Sequence, residues 1–136
     1  MTTTKTILSR ILFFLYLVAI AFLCFMHLDK MPEVQRYIFG IRTDKMVHFL
    51  MFLPFPILMY LAYDHLTDKV WRAFLFAALS FLLGAIVAAG TEYGQSLLPY
   101  RTMDLADFKA DLLALAASGL IVLAIDIAHM KTRRNK

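Results

Sequence analysis

ILFFLYLVAIAFLCF, Ile11–Phe25, carries no charged residue and no polar stripe. A helix on the surface of a soluble bundle keeps one polar face toward water, and this segment has none to offer. Extended to Ile7–His27, the run is long enough to cross about 30 Å of hydrocarbon at about 1.5 Å per residue. The stretch therefore reads as a membrane helix. Met1–Arg10 before it resembles the charged start of a signal peptide. The apolar stretch is longer than a signal core, however, and no A-x-A motif follows, so the run is expected to be retained.

Three further runs have the same character: Met46–Tyr63, Trp71–Gly90 and Leu112–His129. The expected fold is all-α, an integral membrane four-helix bundle forming one transmembrane domain over residues 1–136. Of the 136 residues 61% are hydrophobic, and little chain is left over for a soluble catalytic domain. The formal charge of +4 is concentrated in the tail Lys131–Lys136, KTRRNK. That tail reads as an end facing lipid headgroups, and no nucleic-acid partner is expected. Four crossings put both termini on one side, and the excess of lysine and arginine there predicts cytoplasmic termini. Cys24, the single cysteine, lies within an apolar run, where packing is its expected role.

The second run contains Pro54 and Pro56. Two prolines remove two backbone donors, so a break is expected there, with room beneath the polar residues for an acyl chain. In the connection before it, Pro32 is expected to start a short helix and Gly40 to end it. Trp71, Tyr60 and Tyr63 are expected in an aromatic belt. Gly84, Ala85, Ala88 and Ala89 suit close helix packing, with Gly90 and Gly94 as a further small-residue pair. Asp126, near the far end of the fourth run, is expected to snorkel or cap locally.

The chemistry concentrates in Thr91–Asp111, TEYGQSLLPYRTMDLADFKAD, which joins the third and fourth runs, and in Asp44–His48, DKMVH, which opens the second. The fourth helix is expected to begin near Leu105–Asp107. Alternating crossings bring these segments to one membrane face. Asp44 and His48, and Asp107 and Asp111, are four apart and share helix faces. Ionised groups near a helix mouth are costly unless paired or hydrated, so one connected polar site is expected. Lys45 and Arg101 suit an anion such as phosphate, with Asp44, Gln95 and Asp111 as further binding residues. His48, Glu92 and Asp107 are the candidate catalytic groups. Glu92, Asp107 and Asp111 are the candidate ligands for a divalent cation such as Mg²⁺. Asp104 is expected to act mainly as a helix cap.

The same residues carry a family likeness. The chain resembles the VanZ-like family of small bacterial membrane proteins, named after a teicoplanin-resistance protein. The pattern D-K-x-x-H-F is matched by Asp44, Lys45, His48 and Phe49. E-x-x-Q, an arginine and then D-x-x-x-N-x-x-G are matched by Glu92, Gln95, Arg101 and Asp107. Asp111 stands where the family has asparagine, and Ala114 where it has glycine. The resemblance covers roughly Asp44–Ile125. It implies a cell-envelope protein of the bacterial cytoplasmic (inner) membrane, in some members linked to glycopeptide resistance, and delivers no reaction. Three functions stay open. One is a protein that binds membrane lipid, a lipid-linked cell-wall precursor or another peptidoglycan-related group. The others are a membrane-embedded enzyme acting on lipid-linked phosphate, and a small transporter, which with four helices would need oligomers.

Overall fold

The computed structural model describes residues 3–25, 37–38, 40–63, 67, 69–99 and 103–134. Five helices occupy most of them: α1 (Thr3–Phe25), α2 (Thr43–Phe52), α3 (Phe55–Tyr63), α4 (Val70–Ser96) and α5 (Leu105–Arg134). Helices α2 and α3 form one span, and among the described residues four helical segments are long and apolar enough to cross a membrane. Helix α5 lies centrally, against α2, α3 and α4, while α1 packs chiefly on α3.

The distribution of side chains is inverted relative to a soluble protein. Phe14, Phe22, Leu82, Ile86, Leu113 and Leu120 are exposed, whereas His48, Glu92, Gln95, Asp107 and Asp111 are buried. In water such a surface would cost heavily, but against lipid it costs little, and most of these buried polar groups find partners inside. This is a multi-pass membrane protein.

The helix ladder is interrupted at Leu53–Pro54, between α2 and α3, where the two prolines withhold their donors. Leu53 itself stays helical, with φ −56° and ψ −40°, so the span is interrupted without reversing. The Tyr16 hydroxyl on α1 donates to the Met51 carbonyl at 2.6 Å, supplying a partner from outside the ladder. Phe52 and Phe55 are buried at the break, and Phe13 meets Phe55 edge-on with ring centroids 5.4 Å apart.

One helix end differs from expectation, and the start of the last helix falls where it was expected. Helix α4 runs six residues past Gly90, to Ser96, because its polar residues find partners inside the bundle. Thr91 Oγ1 donates to the Ala88 carbonyl at 2.8 Å, and Gln95 Nε2 to the Cys24 carbonyl at 3.0 Å. Helix α5 starts at Leu105, ahead of its apolar run, because Asp104 Oδ1 accepts the Ala106 N–H at 2.8 Å.

Residues 37–42 also differ from expectation. Tyr37–Ile38 (β1) and Ile41–Arg42 (β2) pair antiparallel, and Gly40 takes φ +79° at the turn, where glycine is favoured. Gly40 therefore turns a hairpin and does not end a helix; the expected helix start at Pro32 lies outside the described residues. Tyr60 packs edge-on against Phe76, turned inward from the belt that Trp71 and Tyr63 can still form. Asp126 is buried, so it does not snorkel toward water.

Close packing is confined to particular glycines. A Cβ at Gly84 would collide with both Leu115 methyls, and one at Gly94 would reach Phe25 Cζ at 2.6 Å. Gly90 has open space around it, so Gly90 and Gly94 do not act together as one contact face.

Candidate functional site

The start of α2, the end of α4 and the start of α5 meet at one end of the bundle, and their ionisable side chains form a connected network. Its outer layer is cationic in part. Arg42, the residue before α2, pairs with Asp44 at 2.8 Å and lies 3.8 Å from Asp104. Lys45 Nζ then bridges Asp104 Oδ2 at 3.0 Å and Asp107 Oδ1 at 2.8 Å, tying α2 to α5.

The inner layer is centred on His48. Its Nδ1 donates to Asp111 Oδ1 at 3.2 Å, a role assigned from the surrounding acceptors, and lies 3.7 Å from Glu92 Oε1. Nε2 faces Asp107 Oδ2 at 4.0 Å, beyond hydrogen-bond reach. Glu92 Oε2 accepts the backbone N–H of Asp104 at 3.2 Å, which joins the end of α4 to the cap of α5. Its other oxygen, Oε1, is buried and has no hydrogen-bond partner among the described residues.

The expected site residues other than Arg101 thus have definite positions. Lys45, His48, Glu92, Asp107 and Asp111 belong to one network, and Asp44 sits at its outer edge. Gln95 is turned away, its amide donating to the end of α1. Arg101 lies outside the described residues. Asp104 does more than cap, since Lys45 joins it to Asp107. Asp111 is spent on the His48 ring. His48, Glu92 and Asp107 bring ligand atoms to within 4.8 Å of one another, a set differing from the expected cation ligands by histidine in place of Asp111, and Asp44, Asp104 and Asp107 form a second such group in the outer layer.

Arg42 is the member that the sequence reading missed. A cation just before a helix that opens with an acid was the available signal. Asp104, outside the membrane-spanning segments, has its carboxyl held below the ordinary aspartate range. The Ala106 N–H is the main cause, followed by the hydrogen bond from Lys45.

A groove of about 550 Å³ opens beside this network, between α2 and α5. Met46, Phe49, Leu50, Ala106, Ala110 and Leu113 line it, and Lys45 and Lys109 stand at its charged end. Lys109 is exposed and makes no ion pair with another described residue.

Fold and site together define a multi-pass membrane protein with a buried ionisable network at one end and an apolar groove beside it. The chain matches no protein-family model, no curated protein and no solved structure.

Proposed function

We propose that this chain is a VanZ-like protein of the bacterial cell envelope that holds the anionic head of a lipid-linked group. The network would then face the non-cytoplasmic side of the cytoplasmic membrane, with both termini in the cytoplasm. The observation that carries this reading is the pairing of an apolar groove with Lys45 and Lys109 at one end of it. A phosphate-bearing amphiphile matches both features: its chain follows Leu50 and Leu113, and its phosphate meets Lys109 and the exposed side of Lys45. Shielding a lipid-linked cell-wall precursor in this way would account for glycopeptide tolerance.

The direct experiment compares retention of a polyprenyl phosphate with that of the uncharged polyprenol, using the full chain in lipid nanodiscs and native mass spectrometry. The phosphate should be retained preferentially. Lys109→Gln should weaken it about fivefold, as expected for roughly 1 kcal/mol per interfacial lysine. Equal retention of the alcohol, or indifference to Lys109→Gln, would count against the reading. Orientation is tested by labelling Met103→Cys and Thr132→Cys in a Cys24→Ser background; the first should react from outside and the second from the cytoplasm.

A second reading, an enzyme acting on lipid-linked phosphate, draws support from the burial of His48 among Asp107, Asp111 and Glu92. An imidazole so placed can serve as general acid or base. Release of phosphate from the bound lipid, abolished in His48→Ala with binding retained, would separate this reading from simple binding.

A further inference from the structure

Charge pairing within the network is uneven. Asp44 is matched by Arg42, and Asp104 and Asp107 share Lys45. Among the described residues the one cationic partner within ion-pair distance of Asp111 and Glu92 is His48, and both acids are almost fully buried, at 0% and 1% exposure. Even as imidazolium, His48 brings one positive charge to two carboxylates. Glu92 Oε1 is the point where the shortfall is visible, since it is enclosed, aimed at the His48 ring 3.7 Å away, and without a hydrogen-bond partner among the described residues. A buried unmatched acceptor of this kind is costly and calls for a cation or a proton.

The geometry points to a divalent-cation site formed by His48, Glu92 and Asp107, with Asp111 as the residue that orients the histidine. One ligand atom from each of the three lies within 4.8 Å of the others. Ligands at about 2.0–2.2 Å from a shared ion stand roughly 3–4 Å apart, so a contraction of about an ångström or less completes the site. Asp111 accepts from Nδ1 at 3.2 Å, which fixes the tautomer and leaves the Nε2 lone pair directed at the side where Asp107 Oδ2 lies 4.0 Å away. A carboxylate behind a metal-binding imidazole is the usual supporting arrangement.

One imidazole with two carboxylates suits a first-row transition ion such as Mn²⁺ or Zn²⁺ better than Mg²⁺, which favours all-oxygen ligands. Three protein ligands leave positions open for water or for a phosphate oxygen. The inference goes beyond lipid binding and does not rest on it, because the protein alone would hold the ion.

The test uses the full chain in detergent micelles and the metal alone. Mn²⁺ binding is followed by loss of the free-ion electron paramagnetic resonance signal, and Co²⁺ binding by its visible absorption. One ion per chain is expected. Glu92→Gln and Asp107→Asn should each weaken binding by about 100-fold or more, and His48→Ala should also remove the nitrogen-ligand contribution to the Co²⁺ spectrum. Asp111→Asn should weaken binding by about 10-fold while preserving the spectrum's form, as a supporting residue does. Circular dichroism identifies variants that fail to fold, and the remaining substitutions report on the same site. The proposal is overturned if helical wild-type protein binds neither Mn²⁺, Co²⁺ nor Zn²⁺ saturably. It is equally overturned if binding survives in His48→Ala and Glu92→Gln but is lost in Asp44→Asn, which would move the ion to the outer group of Asp44, Asp104 and Asp107.

Discussion

Replacing Lys45 by methionine keeps most of the side chain's length and removes the charge that joins α2 to α5. Two contacts disappear, at 2.8 Å to Asp107 and 3.0 Å to Asp104. Exposed ion pairs contribute about 0–1 kcal/mol, whereas breaking a buried pair costs about 3–5 kcal/mol, largely because a charge is left unmatched. The Lys45–Asp107 pair is nearer the buried limit, with side chains 22% and 11% exposed. Asp104, at 36%, is hydrated and adds little. We therefore expect Lys45→Met to destabilise the fold by about 2 kcal/mol, which changes the folded-to-unfolded ratio about 30-fold.

Asp107→Asn should cost less, about 1 kcal/mol, because Lys45 keeps Asp104. In the double variant neither charge is stranded, so its cost should fall short of the sum by about 1–2 kcal/mol. Equilibrium unfolding of the full chain in mixed micelles, titrated with a denaturing detergent, measures all three. A Lys45→Met cost below about 0.5 kcal/mol, or strict additivity in the double variant, would refute the argument that this lysine neutralises a buried acid.

Asp104 has a folded-state carboxyl below its ordinary value, so its stabilising contribution is present above the unfolded value near about 4 and is lost as pH falls through the folded one. Asp104→Asn, which retains a capping acceptor, should flatten the loss of thermal stability as pH falls below about 4. Gly84→Ala would place a Cβ 2.9 Å from Leu115 Cδ1 and 3.2 Å from Phe55 Cδ1, inside a filled core. It should destabilise by about 1–2 kcal/mol, the overpacking cost less the helix-propensity gain, whereas Gly119→Ala, with open space, should be neutral or stabilising in the same unfolding assay. Tyr16→Phe removes the hydroxyl bound to the Met51 carbonyl and should cost about 1 kcal/mol, with faster amide exchange around Leu53–Phe55.

The four spans were legible because lipid contact demands continuous apolar sequence, and Ile11–Phe25 or Trp71–Gly90 admit no other reading. Their ends were less legible. Hydropathy falls at Thr91, yet α4 runs to Ser96, whereas α5 starts at Leu105, where it was expected. Hydropathy records where a side chain meets lipid, while the backbone continues wherever polar side chains find partners, as Thr91 and Gln95 do. Topology placed three helix ends on one face, and that much followed from counting spans. Which side chains meet depends on the rotation of each helix about its axis, which a short polar segment does not encode. Gln95 consequently turned to α1, and Asp111 fell behind His48. Arg42 entered from a hairpin that the sequence had suggested as the end of a helix.

Helix direction explains why the shortage of positive charge settles on Glu92. Asp44 and Asp107 stand in the first turns of α2 and α5, and Asp104 caps α5, so the positive ends of those helices favour these acids. Glu92 lies about one turn from the opposite end of α4, where unpaired carbonyls make a carboxylate unfavourable. Of these four acids it is therefore the one least supported by its own helix, and its Oε1 has no hydrogen-bond partner among the described residues. An acid in so unfavourable a setting lowers the stability of the empty protein and raises the gain from a bound cation. Glu92→Gln should accordingly stabilise the chain by about 1 kcal/mol in chelator, while losing the further stabilisation that Mn²⁺ gives the wild type. Destabilisation by Glu92→Gln in chelator would mean that its charge is already matched inside the protein, and the electrostatic case for a bound cation would fail with it.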